Sequence, residues 1–182
     1  YYEAQNFKNN YGVLKKKIEF KSIELRDISF KYNENSKFII NNLNLKIRKN
    51  DFIGIQGKSG SGKTTLVNLL IGLLKPSSGE VMINNSLMKN DSSVTPFKVG
   101  YVTQDVFLLN KPILNNIAFG IEEEEIDLEK VKKILILCNL EKFIKNDYYD
   151  KKNLGDGNLQ ISGGEKQRIG IARALYGNPD II

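Results

Sequence analysis

The sequence predicts an α/β protein, and three observations along its 182 residues support this class. A short apolar run at residues 52–55 leads through a glycine-rich segment into a helical pattern that begins near Lys63, the strand–loop–helix unit of a phosphate-binding loop. Apolar residues alternate with polar ones over 22–30 and 43–47, which is typical of half-buried antiparallel strands. A serine followed by two glycines opens a further amphipathic helix at residue 162.

Length and composition indicate one globular domain, with 41% hydrophobic and 26% charged residues. No apolar run is long enough to span a bilayer. The chain begins at Tyr1 without an initiator methionine or a secretory signal pattern, so we expect it to be part of a longer protein. The single cysteine, Cys138, lies in an apolar stretch and is interpreted as a helix core residue in a reducing compartment. The net charge of +6 comes from scattered lysines, which we interpret mostly as solvated surface.

The glycine-rich segment carries the chemistry of triphosphate binding. Its glycines permit positive φ angles, so that several backbone N–H groups can converge on one anion, and the following helix adds its positive dipole end. Lys63 can reach the β- and γ-phosphates, and the Thr64 hydroxyl is placed to bind Mg²⁺. The predicted binding segment comprises Gly57, Lys58, Ser59, Gly60, Ser61, Gly62, Lys63, Thr64 and Thr65.

The strands around this loop have predicted boundaries. Residues 22–30 form a strand that bulges at Arg26-Asp27, and Asn50-Asp51 turns the chain into the apolar run before the loop. The helix after the loop is expected to end at the Pro and Gly residues of 75–79, and residues 80–83 form a short strand closed by Asn84-Asn85.

Residues 99–103 are predicted to form a buried strand, with Gln104 at its carboxyl end. Ligands gather at such ends in α/β sheets, so Gln104 is a candidate to contact Mg²⁺ or an attacking water, although a glutamine after a strand is ordinarily a surface residue. Residues 107–109 and 112–114 are apolar, and they either pack in the core or form a docking surface for a partner helix.

Two helix starts are predicted towards the end of the chain. Asp127 is an N-cap for a helix over 128–138, and residues 140–144 add a further helical turn. Ser162 and Glu165 fit a capping box, which accounts for both of them. It does not account for Gly163 and Gly164, because glycine in a first helical turn is costly; the two glycines therefore indicate a second anion site.

Together these motifs resemble the nucleotide-binding domain of an ABC transporter, over about residues 23–182. Tyr32 matches the aromatic that stacks on adenine in that family, and residues 57–64 match the Walker A loop. Gln104 matches the Q-loop, and residues 161–168 match the signature that is specific to ABC proteins. The resemblance implies a P-loop NTPase (RecA-like) α/β core, an antiparallel β-subdomain and a helical subdomain that carries the signature.

Residues 104–109 and 115–120 are similar to the exporter branch of the family, as is Gly155-Asp156 ahead of the signature. Asp156 is shorter than the usual Glu, and Glu165 and Ile161 stand where Gln and Leu are commoner. Residues 178–182 resemble the beginning of the Walker B strand, with Asp180 ahead of the family's Walker B Asp. The 182 residues contain no His and do not reach the catalytic carboxylates, so we expect the isolated piece to bind nucleotide weakly and to hydrolyse nothing.

The resemblance implies the ATP-binding and hydrolysing motor domain of an exporter, with ATP and Mg²⁺ as its cofactors and Lys63 and Gln104 as catalytic residues. The implied partners are a transmembrane domain of the same transporter and a second ATP-binding domain, with no nucleic acid, at the cytoplasmic face of the cell (inner) membrane. In the family two domains pair head to tail, so Ser162, Gly163 and Gly164 would contact the γ-phosphate held by the other subunit. We expect residues 1–20 to be a linker and 21–182 to be the ATP-binding domain.

Three other functions compete with this one. A soluble ABC-type ATPase acting on nucleic acid or ribosomes is compatible with the basic charge, and a hydrolysis-silent regulatory half of a heterodimer is compatible with the motifs. A signalling GTPase is excluded by nucleotide specificity, because residues 110–113 lack the Asp that would recognise the guanine base.

Overall fold

A computed structural model describes residues 19–87, 95–145, 149–154 and 161–182 of the chain. The chain divides into two compact units, Tyr1–Phe97 and Lys98–Ile182. Most of the predicted linker and the Gly155-Asp156 motif lie outside the described residues, so those two predictions stay untested.

The first unit contains the predicted antiparallel sheet. Its strands are β1 (Ser22–Phe30), β2 (Ile40–Arg48), β3 (Ser78–Ile83) and β4 (Ser86–Leu87), in the order β2-β1-β3-β4. Each neighbouring pair runs antiparallel. The predicted period of two is confirmed on β1, because Ile23 and Leu25 are buried whereas the intervening Glu24 is only partly buried.

The bulge in β1 is also confirmed. The pairing register between β1 and β2 shifts between Leu25 and Ile28, and Asp27 has a φ of 50°. The Asn44 side chain accepts a hydrogen bond from the Asp27 N–H at 2.9 Å and donates one to its carboxylate at 2.8 Å. The polar groups that the bulge removes from the ladder are therefore satisfied across the sheet.

The helix after the glycine-rich loop, α1 (Lys63–Leu70), begins where the sequence predicts but ends earlier. Gly72 adopts a φ of 75°, and its N–H donates to the Leu69 carbonyl at 3.2 Å. The Leu73 N–H donates to the Asn68 carbonyl at 2.9 Å, which completes a Schellman motif. The expected end at residues 75–79 was wrong, because Gly72 already supplies the left-handed residue that stops a helix.

Residues 52–55 were predicted to form the strand before the loop, and this prediction was wrong. The structure assigns them no strand, and Phe52 is fully exposed. A strand is held by hydrogen bonds to a neighbouring strand, and the four-stranded sheet does not include these residues. An apolar run identifies a strand only when a partner strand covers it.

The second unit is mainly helical. It contains α2 (Ile113–Ile117), α3 (Leu128–Leu137) and α4 (Gly163–Tyr176), with 3-10 turns at Glu123–Glu125 and Glu141–Phe143. The predicted cap of α3 is confirmed, because the Asp127 carboxylate accepts from the Lys130 N–H at 2.9 Å. The core of this unit includes Ile113, Ile117, Val131, Leu135, Cys138, Phe143, Ile169 and Ala172. Among the described residues, the helices are all too short or too polar to cross a membrane.

The predicted buried strand over residues 99–103 is also absent. Only an isolated parallel bridge joins Val99 to Ile181, with a hydrogen bond of 2.8 Å from the Gly100 N–H to the Ile181 carbonyl. Tyr101 is 46% exposed, and within the described part of the chain residues 101–103 pair with no strand. The Asp180 carboxylate accepts from the Lys98 N–H at 2.8 Å, so Asp180 has a structural partner.

Candidate functional site

The glycine-rich loop folds back towards the Lys63 side chain. Gly60 and Gly62 have φ angles of 77° and 88°, in the left-handed region that glycine tolerates. The Lys63 ammonium donates to the carbonyls of Gly57 and Lys58, at 2.9 Å in each case. The positive charge is therefore held over the loop rather than extended into solvent.

Gly62 is fixed by packing as well as by its backbone angle. A Cβ at this position would lie 2.8 Å from Ile39 Cγ2 and 3.3 Å from Ile40 Cδ1. The start of β2 thus packs against the start of α1, and a larger residue at Gly62 would separate them.

The amino terminus of α1 is open to an anion. No side chain caps it, and its first turn contains no acidic residue. The unpaired N–H groups and the positive dipole end are therefore available to an external acceptor. Thr64 is exposed at this end, whereas Thr65 is buried, so Thr64 is the threonine placed to reach a ligand.

Tyr32 lies beside the first turn of α1. Its hydroxyl is 3.1 Å from Thr65 Oγ1, and its ring meets the Phe30 ring edge-on with centroids 4.9 Å apart. The ring is nevertheless 57% exposed. The structure therefore brings an exposed aromatic face to the phosphate-binding loop, a contact that the sequence motif alone does not specify.

The second predicted anion site begins at α4. The capping box is confirmed: the Ser162 hydroxyl accepts from the Glu165 N–H at 3.3 Å, and the Glu165 carboxylate accepts from the Ser162 N–H at 2.9 Å. Lys142 forms a salt bridge with the same carboxylate. This contact with Lys142, together with the bonds from Ser162, lowers the pKa of Glu165 to about 2, so the carboxylate is ionised at neutral pH.

Among the described residues, no neighbouring atom lies close enough to Gly163 or Gly164 to require glycine at these positions. A Cβ at Gly163 would meet nothing within 4 Å, and at Gly164 it would meet only the Arg168 guanidinium at 3.6 Å. Because the described residues leave room for side chains at both positions, the two glycines keep the helix terminus uncovered by side chains of its own.

Gln104 is exposed and lies in the second unit. Its backbone carbonyl accepts a hydrogen bond from the Gln167 amide of α4. Thr64 lies in the first unit, so a shared role of Gln104 and Thr64 at one Mg²⁺ ion stays a prediction.

Sequence reasoning missed a buried polar centre formed by Asn116 and Arg173. Asn116 is 0% exposed; its amide oxygen accepts from the Leu109 N–H at 2.8 Å, and its amide nitrogen lies 3.1 Å from each of three carbonyls. Arg173 donates to the Asn116 and Phe107 carbonyls at 2.9 and 3.0 Å. These bonds shape the segment after Gln104. The signal was present in the sequence, because Asn116 occupies an apolar-face position of a helix beside Ile113 and Ile117.

Residues 107–109 and 112–114 were predicted either to pack in the core or to form a docking surface for a partner helix, and the structure confirms core packing for part of the second run. Ile113 is fully buried and Leu114 is 8% exposed, so these two residues pack in the core. Phe107 is 73% exposed, so the front of the segment presents an apolar side chain to its surroundings.

Asn116→Ala should lower the free energy of unfolding by about 2–3 kcal/mol, because it leaves the partly buried N–H and carbonyl of Leu109 without their side-chain partner. Urea titration of the purified chain measures the loss. Asn115→Ala is the matched control, since Asn115 makes a hydrogen bond to Glu123 on the surface, at 2.9 Å, and should cost less than about 0.5 kcal/mol. Equal losses for the two variants would contradict the role assigned to Asn116.

Comparison with known proteins places these features in a family. The family model described as ABC transporter matches residues 40–182. The ABC transporter B family member 29 of Arabidopsis thaliana is 39% identical over 163 residues, which are 88% of this chain and 26% of that protein. The alpha-hemolysin translocation ATP-binding protein HlyB of Proteus vulgaris is also 39% identical over 163 residues, which are 23% of its length.

Among solved structures, a bacterial Atm1-family ABC exporter with ATP bound superposes with a TM-score of 0.74 at 29% identity, over 89% of this chain and 28% of that one. The chain thus spans about a quarter of the length of these relatives. Since the family model covers more than half of the chain, this protein belongs to the ABC transporter family.

Proposed function

We propose that this chain is the ATP-binding motor domain of an ABC exporter, and that in the whole protein it hydrolyses ATP to drive transport across a membrane. The observation that carries the proposal is the loop at residues 57–64, where the Lys63 ammonium is held over the loop beside an uncapped helix terminus. The exporter assignment is supported by the similarity to HlyB, an alpha-hemolysin translocation ATP-binding protein, and to the Atm1-family exporter structure.

Each residue of the loop has a distinct task in this proposal. The backbone N–H groups of residues 57–62 surround the phosphates, and Lys63 neutralises charge on the β- and γ-phosphates. The Thr64 hydroxyl and the Gln104 side chain would hold Mg²⁺. Among the described residues, His, Cys, Asp and Glu form no cluster of three that could hold a metal ion. Mg²⁺ commonly binds at such loops through few protein ligands together with phosphate oxygens and water.

The second unit supplies a contact in trans. Ser162, Gly163, Gly164 and Glu165 form the signature end of α4, and the bare glycines allow a phosphate of ATP bound to a second domain to approach this helix terminus. ATP then forms part of the interface between two domains, so its binding favours their closure. A transmembrane domain of the same protein would convert that closure into transport, with this chain on the cytoplasmic face of the membrane.

Residue 32 gives a direct test of the ATP site. Because the 182 residues contain no tryptophan, Tyr32→Trp introduces a single tryptophan, and MgATP should quench its fluorescence saturably. Tyr32→Ala should weaken MgATP binding about tenfold, since base–aromatic stacking contributes about 1–3 kcal/mol. Tyr32→Phe keeps the ring, loses only the hydrogen bond to Thr65, and should bind within about threefold of the wild type. Equal ATP affinity for Tyr32→Ala and the wild type would rule out stacking.

A further inference from the structure

We propose that Lys142 is a positioning residue for the nucleotide contact of α4: it binds the Glu165 carboxylate and offsets its charge, so that a phosphate group can approach the helix terminus. This inference rests on the proposed function, in which residues 162–164 contact the γ-phosphate of ATP held by another subunit. Nothing in the sequence pattern points to Lys142, which lies 20 residues before Ser162.

The Glu165 carboxylate is engaged at both oxygens. One oxygen accepts from the Ser162 N–H and from the Ser162 hydroxyl, at 2.9 Å in each case. The other oxygen is bound by the Lys142 ammonium. The side chain of Glu165 is only 14% exposed, so its charge is held close to the Ser162 hydroxyl rather than spread into solvent.

Lys142 is held in place by the core of the second unit. It belongs to the 3-10 turn Glu141–Phe143, and its ammonium lies 5.0 Å from the centre of the Phe143 ring. Phe143 is 0% exposed. The turn is therefore anchored beside Lys142, which lowers the entropy cost of keeping the ammonium at Glu165.

The charges explain why the cation is needed. A carboxylate near the start of a helix stabilises the helix through its dipole, but it repels a polyphosphate at the same terminus. A glutamine at this position would accept the same N-cap bond without that repulsion. With Glu165 in its place, an ammonium on the far oxygen offsets the carboxylate charge beside the glycine N–H groups.

The test measures ATP hydrolysis by the full transporter as a function of ATP concentration, at low and at high salt. Lys142→Met should raise KM for ATP about fivefold at low salt, with a smaller change in kcat, because an uncompensated carboxylate repels the nucleotide. High salt should reduce this increase, because it screens the repulsion. Glu165→Gln removes the carboxylate charge that Lys142 is proposed to offset. The double variant Lys142→Met/Glu165→Gln should therefore have the same KM for ATP as Glu165→Gln alone.

Lys132→Met is the matched control. Lys132 forms a 3.0 Å salt bridge with Glu129 on α3, so its loss tests whether removing any exposed ion pair of this unit has the same effect. The KM for ATP of Lys132→Met should equal that of the wild type. An unchanged KM in Lys142→Met, an equal rise in Lys132→Met, or the same rise on the Glu165→Gln background would each overturn the proposal.

Ser162→Arg separates this proposal from the function on which it rests. If Ser162→Arg hydrolyses ATP normally, then α4 does not contact nucleotide in trans and the proposed function fails at this site. If Ser162→Arg is inactive but Lys142→Met behaves like Lys132→Met, only the role of Lys142 is wrong.

Discussion

Replacing Lys63 with alanine in the full transporter should reduce ATP hydrolysis at least about a hundredfold, because it removes the charge held over the phosphate-binding loop. The ammonium lies 2.9 Å from the carbonyls of Gly57 and Lys58, so it already occupies the loop where the β- and γ-phosphates would bind. Release of inorganic phosphate at saturating MgATP measures the loss.

Lys58→Ala is the control for this experiment. Lys58 lies in the same loop and is exposed, and its contact with Lys63 is made through its backbone carbonyl. Removing its side chain takes away an equal formal charge but leaves the loop backbone intact, so activity should fall no more than about threefold. A similar loss in both variants would mean that the loop attracts nucleotide through net charge rather than through the placement of Lys63.

Ser162→Arg should abolish ATP-driven pairing of two domains while one domain alone still binds ATP. The arginine side chain would occupy the space in front of Gly163, where a Cβ would meet nothing within 4 Å among the described residues outside its own helix turn. The first unit, which contains residues 57–64, is not altered. Light scattering of the complete domain, with its catalytic glutamate neutralised to trap the ATP-bound pair, measures dimer formation.

Loss of the helix cap is a separate consequence of this change. Ser162→Ala removes the same cap, at a cost of about 1 kcal/mol, but adds no bulk at the terminus. We therefore expect Ser162→Ala to retain partial dimer formation. Dimers of Ser162→Arg as abundant as those of the wild type would show that α4 does not face a second domain.

The sequence was most informative where a local pattern determines local structure. The bulge at Arg26-Asp27, the cap at Asp127 and the capping box of Ser162 and Glu165 depend on residues a few positions apart, and the structure confirms each of them. The glycine-rich loop belongs to the same class, because positive φ at Gly60 and Gly62 is a property of glycine itself.

Predictions failed where structure depends on a distant partner. Residues 52–55 and 99–103 are apolar enough for strands, yet a strand requires hydrogen bonds to a neighbour, and only Val99 has a bridge, to Ile181. For the same reason the sequence did not predict two contacts, that of Arg173 with Asn116 and that of Lys142 with Glu165. Each contact joins elements that lie far apart in the chain.

The central claim is that backbone N–H groups of residues 57–62 bind the phosphates of ATP. Chemical shifts of ¹⁵N-glycine amides in the 182-residue chain, recorded as MgATP is added, test it most directly. We expect the resonances of Gly57, Gly60 and Gly62 to move saturably, and to move little in Lys63→Ala. Gly120 and Gly163 should stay in place, since Gly163 is proposed to meet only nucleotide bound to a second domain. Loop glycine resonances that do not move at millimolar MgATP would contradict the claim.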